Sequence, residues 1–181
     1  MSHRREYEIA FVGLKPGIHE YDYEITDKFF DDFQSQDFRN CKAQVKLQLD
    51  KKNGFLQLKF ELGGTLEVTC DRCNGNLPID LWDDFNLVVK MVDEPEMMNS
   101  QEDDPDVYYI SRTESHINVE NWIYEFINLS IPMHKTCNYE NMDGPFCNKA
   151  AKEMLSKLKG EEIKQENPIW KGLEKFRDLE N

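Results

Sequence analysis

The sequence predicts an α+β fold: an antiparallel β meander or sheet, partly closed, with a short N-terminal helix and two to three C-terminal helices. Three observations predict it. Residues 43–70 alternate apolar and polar side chains with a period of two, the pattern of half-buried strands. From Asn118 onward the apolar residues recur at helical spacing instead. The strands also precede the helices rather than alternating with them, which is the α+β order.

Taken in order, residues 7–14 (YEIAFVGL) read as a strand and residues 17–25 (GIHEYDYEI) as a second, with Lys15, Pro16 and Gly17 as the turn between them. Thr26 is placed to cap a short helix over residues 26–33, whose Phe29, Phe30 and Phe33 share one face. In residues 43–50 Val45, Leu47 and Leu49 fall on one side of a strand; Asn53-Gly54 then separates this run from FLQLKFEL and TLEVTC. That dipeptide between alternating runs predicts a hairpin with a type I′ turn, since both residues tolerate positive φ. LPIDLWDDFNLVVKMV continues as one or two strands, and residues 106–110 (DVYYI) as another. Between these lies the interval 93–106, with seven acids, two prolines and no base, read as a mobile acidic loop. Val119, Trp122, Ile123, Phe126 and Ile127 mark a helix capped by Asn118 and ending near Pro132. Further helices are expected over residues 148–159, stopped by Gly160, and over 168–179, with Pro168 in the first turn. Residues 160–181 thus form a helical tail on a single domain spanning 1–181.

With 181 residues, 39% hydrophobic, 31% charged and 12% aromatic, the chain can bury a core of ordinary size. No apolar run reaches the roughly 18 residues of a spanning helix, and the N-terminal MSHRREYEIA has no apolar region after its bases. A soluble cytoplasmic protein is expected. The net charge of -13 is uneven: residues 149–181 hold 8 Lys and Arg against 7 Asp and Glu, and the remainder holds 14 against 28. The body repels a nucleic acid at long range and attracts a basic protein. Any RNA contact needs a local patch, and Lys149, Lys152 and Lys159 come close to one helical face, with Lys157, Lys164, Lys171, Lys175, Arg177 and Trp170 beyond them.

The five cysteines carry the clearest chemistry. Cys70-Asp71-Arg72-Cys73 follows a strand and runs into Asn74-Gly75-Asn76, a knuckle that aims two thiolates at one point and is half of a tetrahedral zinc site. Cys137 and Cys147 supply the other half, giving C-x2-C, x63, C-x9-C, with His134 as a possible replacement for either of that pair. The competing readings are ordinary buried cysteines and a redox dithiol. A reactive dithiol is disfavoured because its pKa is usually lowered at a helix N-terminus, whereas here a strand precedes. Cys41, which lacks a partner pattern, reads as core. The chain contains no nucleophile elbow, P-loop, dinucleotide fingerprint or H-E-x-x-H, so no catalytic role is expected.

A β meander ending in CDRC at 70–73, the acidic interval 93–106, NLSIP at 128–132, CNKAAKEML from Cys147 and NPIWKGLEKF from Asn167 occur here in that order. Together, over roughly residues 40–179, these motifs resemble the YceD-like family, the large ribosomal RNA subunit accumulation proteins. The resemblance implies a non-catalytic ribosome-biogenesis factor of a bacterial cytoplasm. Its task would be accumulation or processing of large-subunit ribosomal RNA, with the RNA precursor or a basic ribosomal protein as partner. The alternative is a zinc-stabilised acidic protein-interaction module unrelated to ribosomal RNA. A membrane or a small-molecule substrate is not expected.

Overall fold

The computed structural model describes residues 5–139 and 141–162, with side chains through residue 158. The strands are β1 (Glu8–Ile9), β2 (Gly17–Thr26), β3 (Phe38–Lys51), β4 (Phe55–Thr69), β5 (Asn76–Val92), β6 (Val107–Ser111) and β7 (Ile117–Asn118). The α-helices are α1 (Pro95–Gln101), α2 (Glu120–Leu129) and α3 (Lys149–Glu162). The chain divides into two compact units, one formed by the segments up to Thr69 and Pro78–His134, the other by Cys70–Leu77 and the chain from Lys135. Among the described residues no helix is long and apolar enough to cross a membrane.

In the first unit the alternation of the sequence becomes burial. Cys41, Ala43, Val45, Leu47 and Leu49 of β3 and Leu56, Leu58, Phe60, Leu62, Leu66 and Val68 of β4 are all buried, while their sequence neighbours face outward. Phe60 meets Phe126 of α2 edge to face with ring centroids 5.0 Å apart, and Phe85 stacks on the same ring at 4.3 Å. Ile123 and Ile127 complete the buried stripe of α2. Burying each such side chain contributes roughly 1.5–3 kcal/mol. The N-cap of α2 is Val119, without a side-chain cap bond, and not Asn118 as expected; Asn118 sits one residue earlier, where its side-chain oxygen accepts the Glu120 N–H at 2.8 Å.

The sheet departs from expectation in two respects. It is open, in the order β2-β3-β4-β5-β6, beside a separate β1-β7 pair, so the expected partial closure is not found. It is also mixed, because β6 runs parallel to β5. A parallel neighbour needs a crossover of a dozen or more residues, usually with a helix, and the acidic interval 93–106 provides it, carrying α1. Asn99 of α1 donates to the Tyr109 carbonyl at 2.9 Å and accepts the Tyr109 N–H at 2.8 Å. It thus occupies ladder groups that an edge strand otherwise leaves open.

The N-terminal elements also differ. Residues 7–14 form only the two-residue β1 between the 3-10 turns Arg5–Tyr7 and Phe11–Gly13. The reason lies in β3: the Lys51 ammonium donates to the carbonyls of Phe11, Val12 and Leu14 at 2.8, 3.0 and 2.8 Å, satisfying acceptors that a strand would have paired. The helix expected at 26–33 is a 3-10 segment, Asp27–Asp32, and Thr26 makes no side-chain cap bond. Asp27 instead accepts the amides of Asn40 and Cys41 at 3.1 and 2.8 Å, beside the register shift that β3 makes against β4 between Arg39 and Lys42. At the β3–β4 turn only Gly54 has positive φ, 91°, as in a type II turn and not the expected type I′. α3 runs through Gly160 to Glu162; the helix expected over 168–179 lies outside the described residues.

Candidate metal centre

The second unit is built around sulfur. Cys70 leaves β4 and donates its N–H to the Gly75 carbonyl at 2.9 Å, while Asn74 donates to the Cys70 carbonyl at 2.9 Å. Asn74 takes φ 55° to close this turn. Gly75 is required by a close approach: a Cβ there would lie 2.3 Å from the Phe146 carbonyl oxygen and 3.3 Å from Cys73 Sγ. The stretch from Cys137 to Cys147 folds back by similar means, with Met142 N–H to the Tyr139 carbonyl at 3.0 Å and Cys147 N–H to Gly144 at 3.1 Å. Asn148 then caps α3, its side-chain oxygen accepting Ala150 and Ala151 N–H at 3.1 and 3.4 Å.

The residues between Cys70 and Cys73 fasten the two stretches to each other. Asp71 donates its amide to the Lys135 carbonyl at 2.7 Å, and its carboxylate accepts the Lys135 amide at 2.7 Å. The Arg72 guanidinium donates to the Tyr139 carbonyl at 2.8 Å. Neither role was visible from the sequence, where the only available signal was two charged residues inside a C-x-x-C.

The Sγ atoms of Cys70, Cys73 and Cys137 lie within 4.8 Å of one another, all buried. Cys147 is half-buried, outside that triangle, with its Sγ 3.3 Å from that of Cys137. Zinc–sulfur bonds of about 2.3 Å in a tetrahedron place the sulfurs roughly 3.8 Å apart, so these separations suit a metal. A disulfide would need about 2.05 Å, and all five cysteines are free thiols. Met142 is buried with the thiols, and Leu77 and Ala151 pack against them.

The electrostatics of the cluster are asymmetric. Burial pushes the Cys70 thiol up, but the amides of Cys137, Cys73 and Arg72, together with the Cys73 thiol, outweigh it and bring the pKa down to about 7. The Cys137 N–H to Cys70 Sγ bond measures 3.4 Å. Cys137 is held above the usual thiol range by its hydrogen bond to Cys147, then by burial. Three buried sulfurs with amides aimed at one of them form a donor set suited to a soft cation once deprotonated. The cluster thus brings Cys70, Cys73 and Cys137 together with Cys147 at its edge, and leaves Cys41 in β3. His134 is exposed and not part of the cluster. Lys149 and Lys152 are exposed on α3, and the Lys159 side chain lies outside the described residues.

No curated protein and no solved structure matches the chain. The model of the family described as large ribosomal RNA subunit accumulation protein YceD does match, over residues 58–177. That span includes β4 from Leu58 onward, β5, α2 and all four clustered cysteines, and on it the chain belongs to the YceD family.

Proposed function

We propose that the chain is a non-catalytic ribosome-biogenesis factor that supports accumulation and processing of large-subunit ribosomal RNA, and that Cys70, Cys73, Cys137 and Cys147 hold one structural zinc in it. The family match over residues 58–177 carries the first part. The convergence of the thiols supports the second. Four protein sulfurs would fill a tetrahedral zinc, leaving no open position for water or substrate, which makes the metal a scaffold and not a catalyst. Its role would be to fix the two cysteine stretches and the start of α3 as one body.

The partner would be the large-subunit RNA precursor or a basic ribosomal protein. The net charge of -13 favours the protein at long range. An RNA contact would run through the exposed Lys149 and Lys152, with Lys159, and a footprint of a few phosphates gives a shallow salt dependence, roughly -0.7 in log affinity per phosphate. Deleting the gene is expected to reduce mature large-subunit RNA or to accumulate its precursors. Re-expression of the wild-type chain should restore the subunit profile, and Cys73→Ser should not. A normal profile in the deletion strain at slow and fast growth contradicts the reading.

A further inference from the structure

In the first unit, α1, β6, the loop after it, β7 and α2 line a half-open cavity of about 460 Å³, within the roughly 300–1,000 Å³ of ligand sites. None of its residues belongs to the cysteine cluster. Three carboxylates line it, those of Glu96, Glu114 and Glu125, and no Lys or Arg does. Aromatic surface lines it too: Tyr108 and Trp122 meet edge to face with centroids 5.4 Å apart. Such a pair covers only one ring face, and Tyr108 stays 43% exposed.

The walls are held from behind. Asn99 locks α1 to the backbone of Tyr109, whose hydroxyl donates to Glu102 at 2.5 Å. Asn118 fixes the first turn of α2, which carries Trp122. Walls already fixed before binding lose little freedom on binding.

We infer that this cavity receives an arginine side chain from a basic polypeptide segment. A planar guanidinium stacks on an aromatic face and donates paired hydrogen bonds to carboxylates, and the lining offers both groups, with three carboxylates against one basic side chain, the imidazole of His116. A nucleic acid phosphate would meet three carboxylates, so RNA is excluded from this cavity by charge. The inference goes beyond the zinc and ribosomal-RNA reading and would survive its failure, because it rests only on residues of the first unit.

The test titrates the full chain, at fixed salt, with the peptide Gly-Arg-Gly-Arg-Gly-Arg and with its citrulline counterpart, which keeps the shape and removes the charge. The arginine peptide should bind more tightly than the citrulline one. Glu114→Gln combined with Glu125→Gln, both at exposed positions, should weaken it roughly fivefold or more. Asp83→Asn combined with Asp84→Asn, an equal charge change at exposed positions of β5, should leave it unaltered. Equal binding of the two peptides overturns the inference. So does equal weakening by the two double variants, which would indicate attraction to the net charge alone. An oligoribonucleotide that binds through Glu114 and Glu125 overturns it as well.

Discussion

Cys41 and Cys70 are equally hidden from solvent, at 2% exposure each, and their surroundings push the two thiols in opposite directions. In β3, burial and then the nearby Asp27 carboxylate drive Cys41 up to about 11. In the second unit, burial of Cys70 is opposed by amides of Cys137, Cys73 and Arg72, and the thiol falls to about 7. Burial alone makes a cysteine a small apolar side chain, and amides directed at the sulfur make it a ligand. The same contrast separates the units that hold them. The first is stabilised by an apolar core in which Phe85 stacks on Phe126 and Phe60 meets the same ring edge to face. Among the described residues the second buries Met142 with its thiols, Leu77, Cys147 and Ala151 being partly buried against them.

The two units should therefore fail separately. Replacing Cys73 by Ser would remove a ligand of the proposed zinc, and structural zinc is worth on the order of 10 kcal/mol to a small site. Hydrogen exchange should then lose protection at residues 70–77 and from Lys135 through α3, while β3 and β4 stay protected; simultaneous loss in both units would erase the contrast. Phe60→Ala attacks the other side. It should cost about 3–5 kcal/mol of global stability in denaturant titration while the variant keeps its metal.

Two smaller effects sharpen the comparison inside the sheet unit. Lys51→Met removes a charged donor from three carbonyls, and a loss of about 2 kcal/mol is expected, with exchange rising first at residues 5–14. Cys41 should give the smallest effect, confined to high pH. Its folded pKa, about 11, lies above the usual 9.0, so the folded state favours the protonated thiol. That contribution is complete below about pH 9 and is lost as pH rises from about 9 to about 11. Cys41→Ala should flatten this part of the stability profile and release no metal.

What the sequence revealed follows the range of the interactions. β3 and β4 were legible because Val45 to Leu49 and Leu56 to Leu62 alternate without interruption, and the start of α2 was legible to within a residue because Asn118 bonds the Glu120 amide only two positions on. Four thiols in two short spacings were legible for the same reason. The strand β6 was read, but its parallel direction was hidden because α1 exposes all seven of its residues in whole or part, so the crossover shows no apolar stripe. Residues 7–14 were misread because their carbonyls are satisfied by Lys51, 37 to 40 residues along the chain. The contacts of Asp71 and Arg72 were not legible because their partners, Lys135 and Tyr139, are distant in sequence.

The most direct test of the metal reading is native mass spectrometry of the full chain, purified under reducing conditions without chelator. The account predicts one zinc per chain, lost in Cys70→Ser, Cys73→Ser, Cys137→Ser and Cys147→Ser and kept in Cys41→Ser. A metal-free wild-type chain whose residues 70–77 are nevertheless protected from exchange would contradict it.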